Sequence, residues 1–232
     1  MKKYFAIFAI VLFVTFAKAQ TAGEALEVAK ATLKAHGGEK LAQIKNLALK
    51  GTADVTVPGT TITMPAGFAM VTSGEKYRLD IQAPGLNFSQ ISDGVNTTSS
   101  MGGGAVVPPL NRVGLYLLPR IAEEGYVVTA LSDKFKKKKG FRITSPEGFY
   151  SDFIVDEKTS RVKEYESSYD VGGRTISTAV SIEKYREVDG MLINEKFSQR
   201  IDLGQASAYA NFNAKDISVN SEVSADLFTI KQ

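Results

Sequence analysis

One histidine and no cysteine leave this 232-residue chain few ways to do chemistry. His36 has no second histidine or cysteine near it, so no metal-ligand or nucleophile–base spacing forms around it. It stands in the last turn of a helical pattern, where a cation complements the helix dipole, and it is expected on the surface there. Glu164 and Glu166 share one strand face at about 7 Å, a separation that a retaining glycosidase could use. Their surroundings, Arg161-Val162-Lys163-Glu164-Tyr165-Glu166, read instead as an exposed hairpin arm, and a solvated face is the role expected of them. No Gly-x-Ser-x-Gly elbow, HExxH pair or phosphate-cradling loop occurs. Gly102-Gly103-Gly104 has no lysine after it and reads as a hinge. No catalytic residue, metal site or cofactor is expected.

Lys136 to Lys139 form a basic run. Near an anionic membrane each lysine would contribute about 1 kcal/mol. The reading preferred is a solvated loop that discourages edge-to-edge sheet pairing. The formal charge of +3 is carried by Lys2, Lys3 and Lys18, with no acid among residues 1–19, so the rest of the chain is neutral. Neutrality, the lack of tryptophan and the lack of an aromatic ladder interleaved with arginines argue against a nucleic-acid partner.

Those first residues carry the clearest signal of all. Lys2 and Lys3 precede an apolar run from Tyr4 to Phe16, and Ala17-Lys18-Ala19 stands before Gln20. This is the layout of a secretory signal peptide cleaved after Ala19. The run rises only about 20 Å as a helix, short of a hydrocarbon core of roughly 30 Å. The mature protein is therefore expected to be residues 20–232: one exported, periplasmic domain, monomeric, with no cysteine to carry a disulfide or a lipid.

The elements that must position any site follow from periodicity. Thr21-Ala22-Gly23-Glu24 fits a capping box. Ala22, Ala25, Leu26, Ala29 and Leu33 then make one apolar helix face, which Gly37-Gly38 ends. A second short helix is expected over Glu39 to Lys45. From Leu47 the period becomes two, with Leu47, Leu49, Ala53 and Val55 on one face. Pro65 and Gly67 predict a bend or bulge in the next strand. Tyr77, Leu79 and Ile81 mark a third strand, and Asp93-Gly94 turns a hairpin. Leu110, Val113, Leu117, Leu118 and Ile121 suggest a short middle helix, broken or restarted at Pro119. Tight turns near 157–160, 172–173, 189–190 and 204 make the remainder an antiparallel meander.

The fold class is thus mainly β: a curved antiparallel sheet of roughly ten strands forming an incomplete, half-open barrel. The N-terminal helix and the short middle helix are the pieces available to cover its concave face. Ala206, Ala208, Ala210, Phe212 and Ala214 share one face of a late strand. Their small size leaves either a ligand space or close approach for a packed helix.

In this order the pieces resemble the LolA-like periplasmic carriers, the outer-membrane lipoprotein-sorting family. The matching segments are the leading helix ending His36-Gly37-Gly38, the strand from Ile44 to Val55, Glu75-Lys-Tyr-Arg-Leu-Asp80 and Ser92-Asp-Gly-Val-Asn-Thr97. The Pro-Leu helix near 109–121, Tyr185-Arg-Glu-Val-Asp-Gly-Met-Leu-Ile193 and Asp226-Leu-Phe-Thr-Ile230 complete them. The resemblance implies a half-open barrel with a helical lid, holding acyl chains of lipids or lipoproteins between them. Membrane-associated donor and acceptor proteins would be further partners. Where family members carry an arginine that helps control the lid, this chain reads Val71-Thr72-Ser73-Gly74, and Arg78 comes several residues later.

The expected function is a non-enzymatic carrier. Strand alternation selects Leu49, Val55, Leu79, Ile81, Phe88, Ile193, Phe197, Ala208 and Phe212 as the cavity lining. Leu110, Val113, Leu117 and Leu118 would form the lid. The alternative is a periplasmic sensor or protein-interaction scaffold on the same fold, with its interior filled by side chains; an enzyme would require converging carboxylates in a cleft.

Overall fold

A computed structural model describes residues 22–56, 59–100, 109–135, 137–171, 174–202 and 207–230. Residues 1–21, with the expected signal peptide and capping threonine, lie outside them, as do the triple glycine, Pro108, Lys136 and Ala206. Helix α1 covers 22–35 and α2 covers Glu39–Ala42. Twelve strands follow: β1 (Asn46–Thr56), β2 (Thr63–Ser73), β3 (Lys76–Ala83), β4 (Leu86–Ser92), β5 (Thr97–Ser99), β6 (Val127–Thr129), β7 (Gly140–Thr144), β8 (Tyr150–Val155), β9 (Val162–Val171), β10 (Arg174–Val188), β11 (Met191–Asp202) and β12 (Ser207–Val219). Short 3₁₀ segments occupy Gly114–Arg120, Asp133–Phe135 and Ala225–Phe228.

All twelve strands join one sheet in the order β5-β4-β3-β2-β1-β12-β11-β10-β9-β8-β7-β6. Two runs of hairpins meet where β1 pairs with β12, and every pairing is antiparallel. The sheet is curved and stays open, with the three-residue strands β5 and β6 at its edges. Edges that short offer little backbone for another chain to pair with. Strands as long as β10, roughly 50 Å at about 3.4 Å per residue, coil under their own twist.

The sequence reading needs four corrections here. Helix α2 stops at Ala42 rather than Lys45. Among the described residues twelve strands form where roughly ten were expected. Strand β2 runs without a register shift through Pro65 and Gly67. Pro65 lies outside the stretch that β3 pairs, which begins at Gly67, so it sits as on an edge strand, where a missing N–H is tolerated. Register shifts occur instead in β10–β11 around Lys184, in β8–β9 at Ile154/Val155 and in β1–β12 at Lys50/Gly51, where a Cβ on Gly51 would collide with the Asn213 carbonyl. Finally, the middle helix is a 3₁₀ segment that continues through Pro119.

The concave face carries two apolar clusters. In one, Ala25 and Ala29 of α1 and Leu117 and Leu118 of the middle segment pack on Phe141, Ile143, Phe153, Val155 and Val162 of β7–β9. Small residues on α1 let it lie close to the sheet. In the other, β1, β2, β11 and β12 contribute Leu47, Leu49, Ala53, Phe68, Ile193, Phe212 and Ala214. The middle segment bridges them, packing on α2, β8 and β9.

Candidate functional site

Between the sheet, α2 and the middle segment lies a cavity of ≈ 370 Å³. Leu49 and Met70 contribute from β1 and β2, Val180 from β10, and Ile193 and Phe197 from β11. Leu110, Val113, Leu115 and Tyr116 face it from the middle segment, and Leu41 and Ile44 from around α2.

Of the lining expected from alternation, Leu49, Ile193 and Phe197 border this cavity, and so do Leu110 and Val113 of the expected lid. Val55, Leu79, Ile81, Phe88, Ala208 and Phe212 lie outside its lining. Phe212 is buried edge-on against Phe68, with ring centroids 5.0 Å apart, and stacks on Phe197 at 4.8 Å. Val55 and Ile81 pack against the same cluster. Leu79 and Phe88 are buried on β3 and β4, while Ala208 is half-buried opposite Ile201. Leu117 and Leu118 are fully buried in the α1 cluster rather than in the cavity wall.

Polar contacts tie the middle segment to the sheet. The Gly114 N–H donates to Ser151 Oγ at 2.8 Å, and Ser151 and Ser167 share a hydroxyl contact of 2.5 Å. Tyr116 and Thr72 join hydroxyls at 3.0 Å. Burial pushes the Tyr116 phenol up to about 12, so it remains a neutral hydrogen-bonding group. Asn111 Nδ2 donates to the Gly74 carbonyl at 3.3 Å, and Arg112 and Arg120 meet Glu75 at 3.4 and 3.8 Å. Arg120 also pairs with Glu123 at 2.9 Å. Gly114 has φ +62, and a Cβ there would enter the Tyr165 ring.

His36 departs most from its expected place. It is fully buried and borders the cavity, not the surface. Its Nε2 accepts the Val162 N–H at 3.1 Å, and its ring stands edge-on to Tyr185 at 5.0 Å. Tyr185 in turn donates to the Val162 carbonyl at 2.8 Å. Burial lowers the imidazole to about 4, the Arg161 guanidinium adds to the effect, and a backbone contact at Leu192 opposes it. A neutral ring that accepts at Nε2 carries its proton on Nδ1. His36 thus serves as a structural acceptor joining the end of α1 to β9.

The paired carboxylates lie away from the cavity. Glu166 meets Lys134 at 2.6 Å and Glu164 meets Lys138, so both are held by the loop before β7. Lys137, Lys138 and Lys139 are exposed. Arg78 binds Asp80 at 2.7 Å and is not part of the cavity wall. Among the described residues no group of three or more His, Cys, Asp or Glu side chains is placed to hold a metal.

Sequence reasoning missed His36, Met70, Tyr116, Asn46, Asn111 and Asn194 as cavity residues. Met70 was within reach, since it continues the face of Phe68 by simple alternation. The others depend on contacts between distant segments.

No protein-family model matches the sequence, and no curated protein matches it. Solved structures do match the fold. A LolA-superfamily protein from Nitrosomonas europaea superposes with a TM-score of 0.50 at 12% identity, covering 90% of this chain and 98% of that one. A DUF1329-family protein from Desulfovibrio piger gives 0.51 at 8% identity, covering 90% and 97%. The fold is LolA-like. A domain assigned to outer-membrane lipoprotein sorting, from Vibrio parahaemolyticus, is also similar, with a TM-score of 0.49 at 10% identity over 89% of this chain and 97% of that one. In LolA-like terms, the cavity here lies between the open sheet and the covering helical segments.

Proposed function

We propose that this protein is a non-enzymatic periplasmic carrier that shields acyl chains of lipids or lipoproteins in the cavity beneath the middle segment. The observation that carries this reading is the cavity itself. At ≈ 370 Å³ it falls within the roughly 300–1,000 Å³ typical of ligand sites. Leu49, Met70, Val180, Ile193 and Phe197 would hold the chain, with Leu110 and Val113 closing over it. Each buried methylene contributes about 0.8 kcal/mol, so ten of them supply about 8 kcal/mol, enough for micromolar binding before ordering costs. No catalytic group is needed for that task. The apparent signal peptide and the LolA-like fold both suit a monomer moving cargo between membrane-associated donor and acceptor proteins.

Native mass spectrometry of protein released gently from the periplasm tests this. An adduct of acyl-bearing mass, removable by a competing lipopeptide, is expected; an unliganded mass with no uptake of lipid or lipopeptide would remove the carrier reading. A second reading, a sensor or interaction scaffold, draws on the aromatic stack of Phe68, Phe212 and Phe197, whose rings pack on one another beside the cavity. It predicts a protein partner and no lipid adduct.

A further inference from the structure

The convex face of the sheet carries a second recess, a groove of ≈ 380 Å³ across β1, β12, β11 and β10. Ala53 and Phe212 are buried in the concave cluster, so their strand neighbours Asp54 and Asn211 point the other way. Strand pairing sets two polar rows on that outer face. Asp54 lies opposite Asn211, Asn211 opposite Ser198, and Ser198 opposite Ser181. One rung along, Thr52 lies opposite Asn213 and Asn213 opposite Lys196. With neighbouring strands about 5 Å apart, the first row spans about 14 Å.

Asp54, Ser181, Ser198 and Asn211 are exposed. Among the described residues, no side chain of the two rows forms a hydrogen bond or ion pair within the protein. Most cross-strand polar neighbours on a sheet could satisfy one another, but these are too short to fill the groove and stay turned to solvent. Tyr209, 49% exposed, stands on the same face of β12 about 7 Å beyond Asn211, level with Thr56 and Arg200. An open aromatic ring therefore sits at one end of an unpaired polar groove.

The chemistry of these groups narrows the occupant. Asp54 and Glu183 outnumber Lys196 in the lining, so nothing here attracts an anion. The groove crosses the middle of the sheet and has no free strand edge, which excludes a peptide added as an extra strand. An apolar chain would strip water from carboxylate, amide and hydroxyl groups and return nothing. Hydroxyl-rich ligands do return it. Asn211 and Asn213 each present a donor and an acceptor side by side, Asp54 accepts twice, and Thr52, Ser181 and Ser198 do both. Neighbouring hydroxyls of a sugar ring match those pairs, and the ring's C–H face matches the apolar body of Tyr209.

We propose that this groove binds an uncharged oligosaccharide, with Tyr209 against one sugar ring and Asp54, Asn211 and Ser198 bonding the hydroxyls of the next. The assignment stands apart from the carrier reading, because groove and cavity lie on opposite faces of the sheet. Each bond replaces one to water, so affinity should be modest, with Kd on the order of 0.1–1 mM. Nitrogen-15-labelled protein titrated with cellotetraose, tetraacetylchitotetraose and tetragalacturonate tests it by two-dimensional NMR. At least one neutral probe should saturate and move the amide signals of Asp54, Ser198, Tyr209 and Asn211. Tyr209→Ala and Asn211→Val change exposed side chains, and each should weaken that probe about tenfold while leaving the remaining spectrum in place. Should one variant fail to fold, the other makes the same test. No saturable shift with either neutral probe, shifts centred away from this face, tighter binding of tetragalacturonate, or an unchanged Kd in the folded variants would overturn the assignment.

Discussion

Acidification should destabilise this protein through a buried histidine, beyond what its carboxylates contribute. His36 is neutral in the folded state, with burial holding it at about 4 against an ordinary 6.5. Between those values the unfolded chain binds a proton that the folded chain refuses, so stability falls as pH falls. The contribution is complete above the unfolded value and lost progressively down to about pH 4. At about 1.36 kcal/mol per pH unit, the full window amounts to about 3 kcal/mol, most of it lost between about pH 7.5 and 4.5. The neighbours reinforce the sign: the Arg161 guanidinium disfavours a charged imidazole, and the Tyr185 phenol is raised by burial and stays neutral. Protonation would also place a donor where Nε2 now accepts the Val162 N–H. His36→Gln keeps an acceptor within reach but cannot titrate. Urea unfolding followed by far-UV circular dichroism, at several pH values, should show wild type losing about 2–3 kcal/mol more than His36→Gln over that range. Parallel pH profiles for the two proteins would refute the assignment of the acid sensitivity to His36.

Other substitutions probe the middle segment and the sheet. Gly114→Ala pushes a Cβ into the Tyr165 ring at a positive φ, and should cost about 1–3 kcal/mol in chemical unfolding. Tyr116→Phe leaves the buried Thr72 hydroxyl without its partner and should cost about 1 kcal/mol. It should also raise hydrogen exchange across 109–124, and a bound lipopeptide should alter protection in the same stretch. Arg142→Met removes two hydrogen bonds of 2.9 and 2.7 Å from the buried Asp152 carboxylate, leaving it the Ser132 hydroxyl at 3.2 Å and no counter-charge, and should cost about 3 kcal/mol at neutral pH.

Much of the architecture was legible because it is local. Alternation placed Leu47, Leu49, Tyr77 and Leu79 on buried faces, Asp93-Gly94 marked a real turn, and Gly37-Gly38 ended α1 where the backbone takes positive φ. The cavity was less so, because alternation sets the face of a residue and not its depth along the strand. Leu49 borders the cavity, whereas Val55, on the same face but about 20 Å further along β1, packs in the aromatic cluster. His36 was misread for a related reason. Its helix-end position says surface, but the contact that buries it comes from Val162, 126 residues away. Asn111 and Tyr116 belong to a segment whose 3₁₀ path and seat on the sheet are set by Ser151, Thr72 and Gly74, none of them close in sequence.

Photo-crosslinking with a lipopeptide whose acyl chain carries a diazirine near its terminal methyl addresses acyl occupancy of the cavity most directly. Crosslinks should concentrate on the peptides containing Leu49, Met70, Val180 and Phe197, and should fall when unlabelled lipopeptide competes. Crosslinks confined to the exposed face of the sheet or to the β5 and β6 edges, with none on those four peptides, would contradict the assignment of this cavity as the acyl site.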